Sequence, residues 1–397
     1  MRIGVAKEQS PGERRVALVP GVVASLKQAG MEVVMEAGAG AAAGFSDEEF
    51  SQRGATVAGR DEALDQEVQL QVRLGRPEDW RPGGYRRGQV VVGLADPLGQ
   101  PALMARWAEA GVSLFALELL PRITRAQGMD VLSSQATVAG YRAVILAAHV
   151  LPKMFPMLMT AAGTIQPARV LVVGAGVAGL QAIATARRLG AVVTAYDVRP
   201  AAREQVESLG ARFLALELET ADAEAEGGYA RAMDEQRLEK QRELMTRAVA
   251  QSDVVITTAA VPGRPAPVLI TSHMVQQMRP GSVIVDVAAE RGGNCQLTEP
   301  GRSVEHGGVT ILGPLSLPSD VPYHASQMYG KNMANFLLHV ARDGQPDFRS
   351  DDEILRSTLV TRDGQVVHPR VRELLQQPAD TEQSDSGPSA DSPSVEK

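Results

Sequence analysis

The sequence predicts an α/β protein with two parallel-sheet domains, the first completed by a C-terminal segment. Three observations carry this. Strand-like apolar runs alternate with stretches of helical period along most of the 397 residues, a length that suits two domains. Residues 168–199, ARVLVVGAGVAGLQAIATARRLGAVVTAYDVR, form a strand–turn–helix–strand unit. Far downstream, residues 322–342 repeat an amphipathic helical pattern around Met328, Met333, Phe336 and Leu337, placed to carry the chain back to its first domain.

In chain order, the first domain is expected to hold strands over residues 2–6, 32–35, 67–72, 90–94 and 113–119, with helices near 22–28, 48–51 and 101–110. A proline-free helix over 134–150 leads out of it. The second domain is expected to hold strands over 170–173, 191–196, 211–214, 253–258, 282–287 and 309–312, enough for a complete doubly wound sheet. Helices fall at 177–189, 203–209, 234–249 and 272–277. The expected domains are therefore 1–133 with 327–377, and 134–326. Residues 217–228, ELETADAEAEGG, interrupt the second domain just before Tyr229 with an acidic stretch that has no period, the mark of a functional or mobile insertion. The Ser/Asp/Pro-rich tail, 378–397, is expected to be disordered.

Strands alternating with helices make both domains expected to be Rossmann-like, and the 168–199 unit has the order a dinucleotide needs, so the second is expected to bind the nucleotide. Gly174 permits the tight turn out of the strand. Gly176 lets the backbone approach a pyrophosphate. Gly179 lets the helix lie close on the sheet. The N–H groups at the helix start, around Val177 and Ala178, face the phosphates. Asp197 ends the second strand roughly 20 residues past the glycines, where an acid accepts hydrogen bonds from ribose hydroxyls and repels a 2′-phosphate. That favours NAD(H) over NADP(H), with Val198 and Arg199 beside it. Thr258, Ala259 and Ala260 follow the fourth strand at the carboxyl edge of the sheet, where open α/β sheets hold ligands. Gly292, Gly293 and Asn294 are placed to line the same crevice.

Other function classes are disfavoured. A net charge of −7 without a basic block argues against nucleic acid as partner. Cys295 is the only cysteine, and His306, His324 and Asp286 show no metal-ligand spacing, so no metal is assigned. The N-terminus lacks the apolar core of a signal peptide, and no run of eighteen apolar residues occurs. A cytoplasmic protein is the expectation.

Beyond the glycine turn, the chain carries Lys7-Glu8, Glu13-Arg14-Arg15-Val16-Ala17, Val19-Pro20, Ala168-Arg169-Val170 and Val261-Pro262-Gly263-Arg264-Pro265-Ala266-Pro267. These resemble the family that holds alanine dehydrogenases and the NAD(H)-binding component of proton-translocating nicotinamide nucleotide transhydrogenase, over nearly everything up to about residue 375. Segment 121–135, PRITRAQGMDVLSSQ, resembles the transhydrogenase loop that holds the nicotinamide. By that resemblance Arg122, Asp130 and Ser133 contact the nicotinamide or its ribose, and Gln127 reaches across to a second nucleotide. Tyr229 would belong to a mobile loop that folds over bound nucleotide.

The resemblance implies a Re/Si-specific NAD(P)+ transhydrogenase. This chain would supply the NAD(H) site, and a partner subunit would hold NADP(H). Membrane-spanning subunits would move the proton, with this chain homodimeric and peripheral at the inner membrane's cytoplasmic face. The alternative is a stand-alone NAD-dependent alanine dehydrogenase. Against it, the segments where such an enzyme would hold its lysine and histidine read QVRLGRP at 71–77 and GLADP at 93–97, and no histidine precedes His149. Asp96 has an ordinary pKa of about 3.9 and would need strong perturbation to serve as a base. Arg15 and Lys7 are expected to be structural ion-pair members. A silent NAD-sensing regulator is a third reading.

Overall fold

The computed structural model describes residues 1–76, 85–215, 240–260, 263–342, 345–348 and 351–376. Tyr229, the acidic stretch 217–228, Val261-Pro262 and the tail 378–397 lie outside the described residues.

Two sheets organise the chain. In the first, β1 (Arg2–Val5), β2 (Glu32–Glu36), β3 (Thr56–Ala58), β4 (Val68–Arg73), β5 (Val90–Leu94) and β6 (Ser113–Ala116) run parallel. Nearly every residue of β4 is buried, as expected of a strand covered on both faces. The second sheet follows a small hairpin, β7 (Leu158–Thr160) and β8 (Gly163–Ile165). It comprises β9 (Arg169–Val173), β10 (Val192–Tyr196), β11 (Arg212–Phe213), β12 (Val254–Thr257), β13 (Val283–Asp286), β14 (Ser303–His306) and β15 (Val309–Leu312). Its order, β11-β10-β9-β12-β13-β15-β14, is the doubly wound arrangement, with the direction of strand addition reversing between β9 and β12.

The structure adds to the expected strands in specific ways. β14 is a seventh, antiparallel strand joined to β15 through Gly307 and Gly308, both at positive φ. Its residues SVEH carry a single apolar side chain, so period alone does not reveal it; the Gly-Gly pair is the hairpin signal. β3 is similarly short. After the pair β16 (Ala341–Arg342) and β17 (Gln345–Pro346), the chain forms β18 (Leu359–Arg362), antiparallel to β6, and β19 (Gln365–Val366) at the edge. The C-terminal segment thus completes the first sheet.

Some boundaries move for local reasons. The strand expected over 113–119 stops at Ala116, and Leu117–Leu119 turn as a 3-10 helix while the Glu118 carboxylate accepts from the N–H groups of Ala95 and Asp96. The helix expected from residue 134 begins at Val131, because the Asp130 carboxylate caps it by accepting from Ser133 N at 2.9 Å. Segment 121–135 is therefore largely helical, a 3-10 helix over Thr124–Met129 running into this cap. The downstream helix is Pro322–Val340, ended where β16 pairs with β17. Of the helix expected over 234–249, residues 240–250 are described and helical.

Helix Val131–Val150 joins the two cores. Val131 packs into the first, with Phe115, Tyr329 and Phe336, while Ala139, Ala143, Val144 and Ala147 pack into the second. By length and composition it is apolar enough to cross a membrane, more so than its sequence suggested, but it packs against the helices Val177–Arg188 and Pro322–Val340, which bury part of its apolar surface while Leu132 and Tyr141 stay exposed. The contact with Val177–Arg188 is unusually close at Gly140. A Cβ there would sit 2.1 Å from the carbonyl oxygen of Ala178. Gly140→Ala should force the helices apart and destabilise the fold by about 1–3 kcal/mol, as overpacking usually does. Thermal unfolding measures this, and an unchanged midpoint would show that the contact is not tight.

Candidate functional site

The crevice lies at the carboxyl edge of the second sheet, where strand β9 runs into the glycine turn. Each glycine has a distinct geometric reason. Gly174 sits at φ 98°, and a Cβ on it would come within 2.7 Å of Thr258 Oγ1. A Cβ on Gly179 would meet the Gly174 carbonyl oxygen at 1.8 Å. At Gly176 a Cβ would meet nothing within 4 Å, so the turn is open on the side where a phosphate would come. Helix Val177–Arg188 starts there without a side-chain cap, leaving the N–H groups of its first turn directed at that opening. The site thus fits a dinucleotide pyrophosphate.

Asp197 stands at the end of β10 beside this turn. Its carboxylate accepts from Ala175 N at 2.7 Å, Arg199 N at 2.8 Å and Arg199 Nε at 2.9 Å. Arg199 Nη2 also donates to Asp197 Oδ2 at 3.1 Å and to the Ala175 carbonyl at 3.2 Å. Burial works against the charged carboxyl, but these hydrogen bonds and the Arg199 charge outweigh it and hold the Asp197 pKa below its ordinary value. Asp197 is therefore anionic at neutral pH. Its acceptor sites are also largely filled by Arg199, whose side chain is 61% exposed. A ribose reaching Asp197 must displace that guanidinium, which makes Arg199 a competitor for the acid. Val198, 76% exposed, offers an apolar surface next to it.

The opposite wall is the loop after β12. Thr258 Oγ1 donates to the Gly174 carbonyl at 3.1 Å, stitching this loop to the turn. Ala259 is held by Asn294, and Ala260 is exposed. Below them, the fully buried Asp286 accepts from Thr257 Oγ1, Ala288 N, Cys295 N and Thr298 Oγ1 at 2.7 to 3.1 Å. Asp286 is thus a structural knot, and no cluster suited to a metal exists among the described residues.

Segment 121–135 is clamped from beneath. The Gly128 carbonyl accepts from Asn332 Nδ2 at 2.9 Å and Asn335 Nδ2 at 2.7 Å, and Arg125 pairs with Asp352 at 3.0 Å. Asp130 and Ser133 are brought together, with Ser133 Oγ donating to Asp130 Oδ2 at 2.6 Å. Arg122 and Gln127 are exposed. Asp130 and Gly140 lie on one helix, so this pair stands about 15 Å along it from the contact with the glycine-turn helix.

The two sheets are joined by ion pairs that the sequence does not announce, since their members lie 195 and 217 residues apart. Arg73 pairs with Glu290 at 2.6 Å, and Arg291 pairs with Asp96, which adopts φ 50°. Glu290 also accepts from Ser316 N at 3.0 Å. Arg15 is buried and held side-on by Glu13, with Nε and Nη2 donating at 2.8 and 2.6 Å, while Nη1 donates to Gln135 at 2.8 Å. Burial would raise the Glu13 pKa, yet Arg15 and the Ser319 hydroxyl bring it to about 2. Arg15 is the ion-pair member expected. Lys7 is not: its N–H donates to Glu36, and its side chain is exposed.

The first domain also holds two groups that the sequence did not show to be near neutral pKa. Burial raises Glu8 to about 8 and Glu118 to about 7. The Glu8 carboxylate is engaged with Val72 N and Arg73 N, and Glu118 Oε1 with Ala95 N and Asp96 N. Desolvation, which the sequence cannot display, produces both shifts.

Two family models together match most of the chain. Residues 4–139 match the N-terminal domain of the alanine dehydrogenase/PNT family, and residues 143–369 match its C-terminal domain. The chain is 47% identical to the first portion of the NAD(P) transhydrogenase alpha subunit of Rhodospirillum rubrum over 377 residues, 93% of this chain and 98% of that one. It superposes on the transhydrogenase structure from Sinorhizobium meliloti with a TM-score of 0.81 and 46% identity, covering 93% and 99% of the two chains. Alanine dehydrogenase of Bacillus subtilis is 29% identical over 380 residues, 94% of each chain.

If the Asp197 carboxylate selects NADH over NADPH by repelling a 2′-phosphate, removing its charge should narrow the ratio of the two affinities. Asp197→Asn should lose roughly tenfold or more of the discrimination, since hydrogen bonds to a charged group contribute about 1.5–3 kcal/mol. Fluorescence titration of both nucleotides measures it, and an unchanged ratio would remove Asp197 from the selectivity.

Proposed function

The chain belongs to the alanine dehydrogenase/PNT family, and we propose that within it the chain is the NAD(H)-binding component of a proton-translocating, Re/Si-specific transhydrogenase. Bound NADH supplies a hydride, and NADP+ carried by a partner subunit takes it. The observation that carries this reading is the single helix Val131–Val150, which holds Asp130 and Ser133 at one end and lies against the glycine-turn helix at Gly140. The segment assigned to the nicotinamide and the turn assigned to the phosphates are thus carried by two helices in tight contact. Transfer between two nicotinamide rings needs alignment and no proton donor, and this is what a rigid mount provides. Arg122, Asp130 and Ser133 orient the nicotinamide end. Gln127, exposed and with no side-chain hydrogen bond among the described residues, is free to face the second nucleotide.

The dehydrogenase reading fits the structure less well. A 2-oxo acid needs a cation for its carboxylate, and the buried Arg15 already has its bidentate edge filled by Glu13. The two carboxyls with raised pKa are engaged with main-chain N–H groups.

Further parts of this proposal concern assembly. Membrane-spanning subunits move the proton, and the chain sits peripherally at the membrane through them. A second copy of this chain covers the β7–β8 hairpin, where Met157, Leu158, Met159 and Ile165 are exposed, Met159 by 78%. An apolar cluster of this kind on a two-stranded hairpin calls for a partner surface.

Two outcomes follow. Hydride transfer from NADH to an NADP+ analogue should appear only when an NADP-binding partner is added. Gln127→Ala should then slow transfer about tenfold or more with NADH affinity nearly unchanged, because its contact is made across the interface. Full-rate transfer by the chain alone, or loss of NADH affinity as the only effect, would sink the half-site. Separately, sedimentation should find a dimer that Met159→Asp weakens at least about tenfold, since it places a charge in an apolar contact. A wild-type monomer at micromolar concentration would remove the second copy from the proposal.

A further inference from the structure

Asn294 is fully buried in the loop that leaves β13, directly after Gly292 and Gly293, both at left-handed φ of 92° and 88°. Its side chain hydrogen-bonds three main-chain groups. Nδ2 donates to the Ala259 carbonyl at 2.8 Å and to the Pro267 carbonyl at 2.8 Å. Oδ1 accepts from Ala259 N at 3.0 Å. Both main-chain groups of Ala259 are thus held by one carboxamide, as a neighbouring strand would hold them. The Asn294 carbonyl accepts in turn from Leu269 N and Ile270 N, which anchors the residue itself.

This arrangement requires the chemistry of an amide. Aspartate keeps the acceptor for Ala259 N but faces two carbonyl oxygens with no N–H. Serine is too short to span three partners. Alanine leaves the Ala259 N–H and two carbonyls without their partner. On its other side the same loop is stitched to the Gly174 carbonyl through Thr258. Asn294 therefore sets how far the loop stands from the glycine turn, at the point where the strand order reverses between β9 and β12.

A dinucleotide lies across that reversal. Asp197, at the end of β10, is on the adenosine side. Ala259, beyond the end of β12, is on the nicotinamide side. We propose that Asn294 is a positioning residue which, by fixing the main chain of Ala259, shapes the crevice for the nicotinamide half of the nucleotide and not for its adenosine half. This rests on the NAD(H)-binding reading given above.

The test is a pair of affinities on the full chain. NADH and ADP are titrated against the wild type, Asn294→Ala and Asn294→Asp, with NADH followed by fluorescence and ADP by calorimetry. Both variants should weaken NADH about tenfold or more, the size expected from unpairing buried amide partners. ADP should stay within about twofold, because its contacts are on the Asp197 side. Normal ADP binding also reports that the sheet has folded. If either variant fails to fold, Asn294→Ser replaces it, with the same selective loss expected. Equal losses for NADH and ADP would reduce Asn294 to general structural support and overturn the proposal, as would unchanged NADH affinity. A wild type that binds ADP but not NADH would overturn the NAD(H) reading itself, a result distinct from either.

Discussion

The contact between helix Val131–Val150 and helix Val177–Arg188 is the constraint on which the rest of the structure depends. At Gly140 the backbones approach so closely that even a methyl group would collide with the Ala178 carbonyl oxygen. Because the first helix contributes to both hydrophobic cores, this contact fixes the first sheet relative to the second. It also sets the distance between the Asp130–Ser133 pair and the glycine turn. A loop in place of this helix would let that pair and the glycine turn drift relative to each other, and the proposed transfer between two rings tolerates little misalignment.

Around this frame, electrostatics closes the cleft between the sheets. Arg73 with Glu290 and Arg291 with Asp96 join the ends of β4 and β5 to the turn after β13. The turn at 96–99 also touches the nucleotide side, since a Cβ on Gly263 would press on Leu98 and one on Gly99 would press on Arg291. Such pairs are partly exposed and each contributes little to stability. Their effect is geometric: the loop that carries Glu290 and Arg291 continues directly into Asn294, so these ion pairs and the clamp on Ala259 share one segment.

The same packing fills the hydrogen bonds of the buried cation in the first domain. Arg15 is neutralised by Glu13, and Ser319, from the segment after the second sheet, donates to that carboxylate at 2.5 Å. A buried ion pair with its hydrogen bonds filled is costly to break, because either charge alone would be left desolvated. The polar groups at this end of the cleft serve the joint between domains.

What the sequence determined is whatever depends on local order. The α/β class, the doubly wound second sheet, the glycine turn at Gly174, Gly176 and Gly179 and the acid at Asp197 follow from period and spacing within a few dozen residues. Short elements such as β3 and β14 escaped because three or four residues hold too little pattern, and the start of the long helix shifted because Asp130 caps it. Tertiary structure alone decided what depends on meetings between distant segments. It set the clamp of Asn294 on Ala259, the ion pairs between sheets and the raised pKa values of Glu8 and Glu118. Each of these arises from burial and from partners brought together by folding. Neither desolvation nor a contact across roughly 200 residues leaves a periodic mark on the chain.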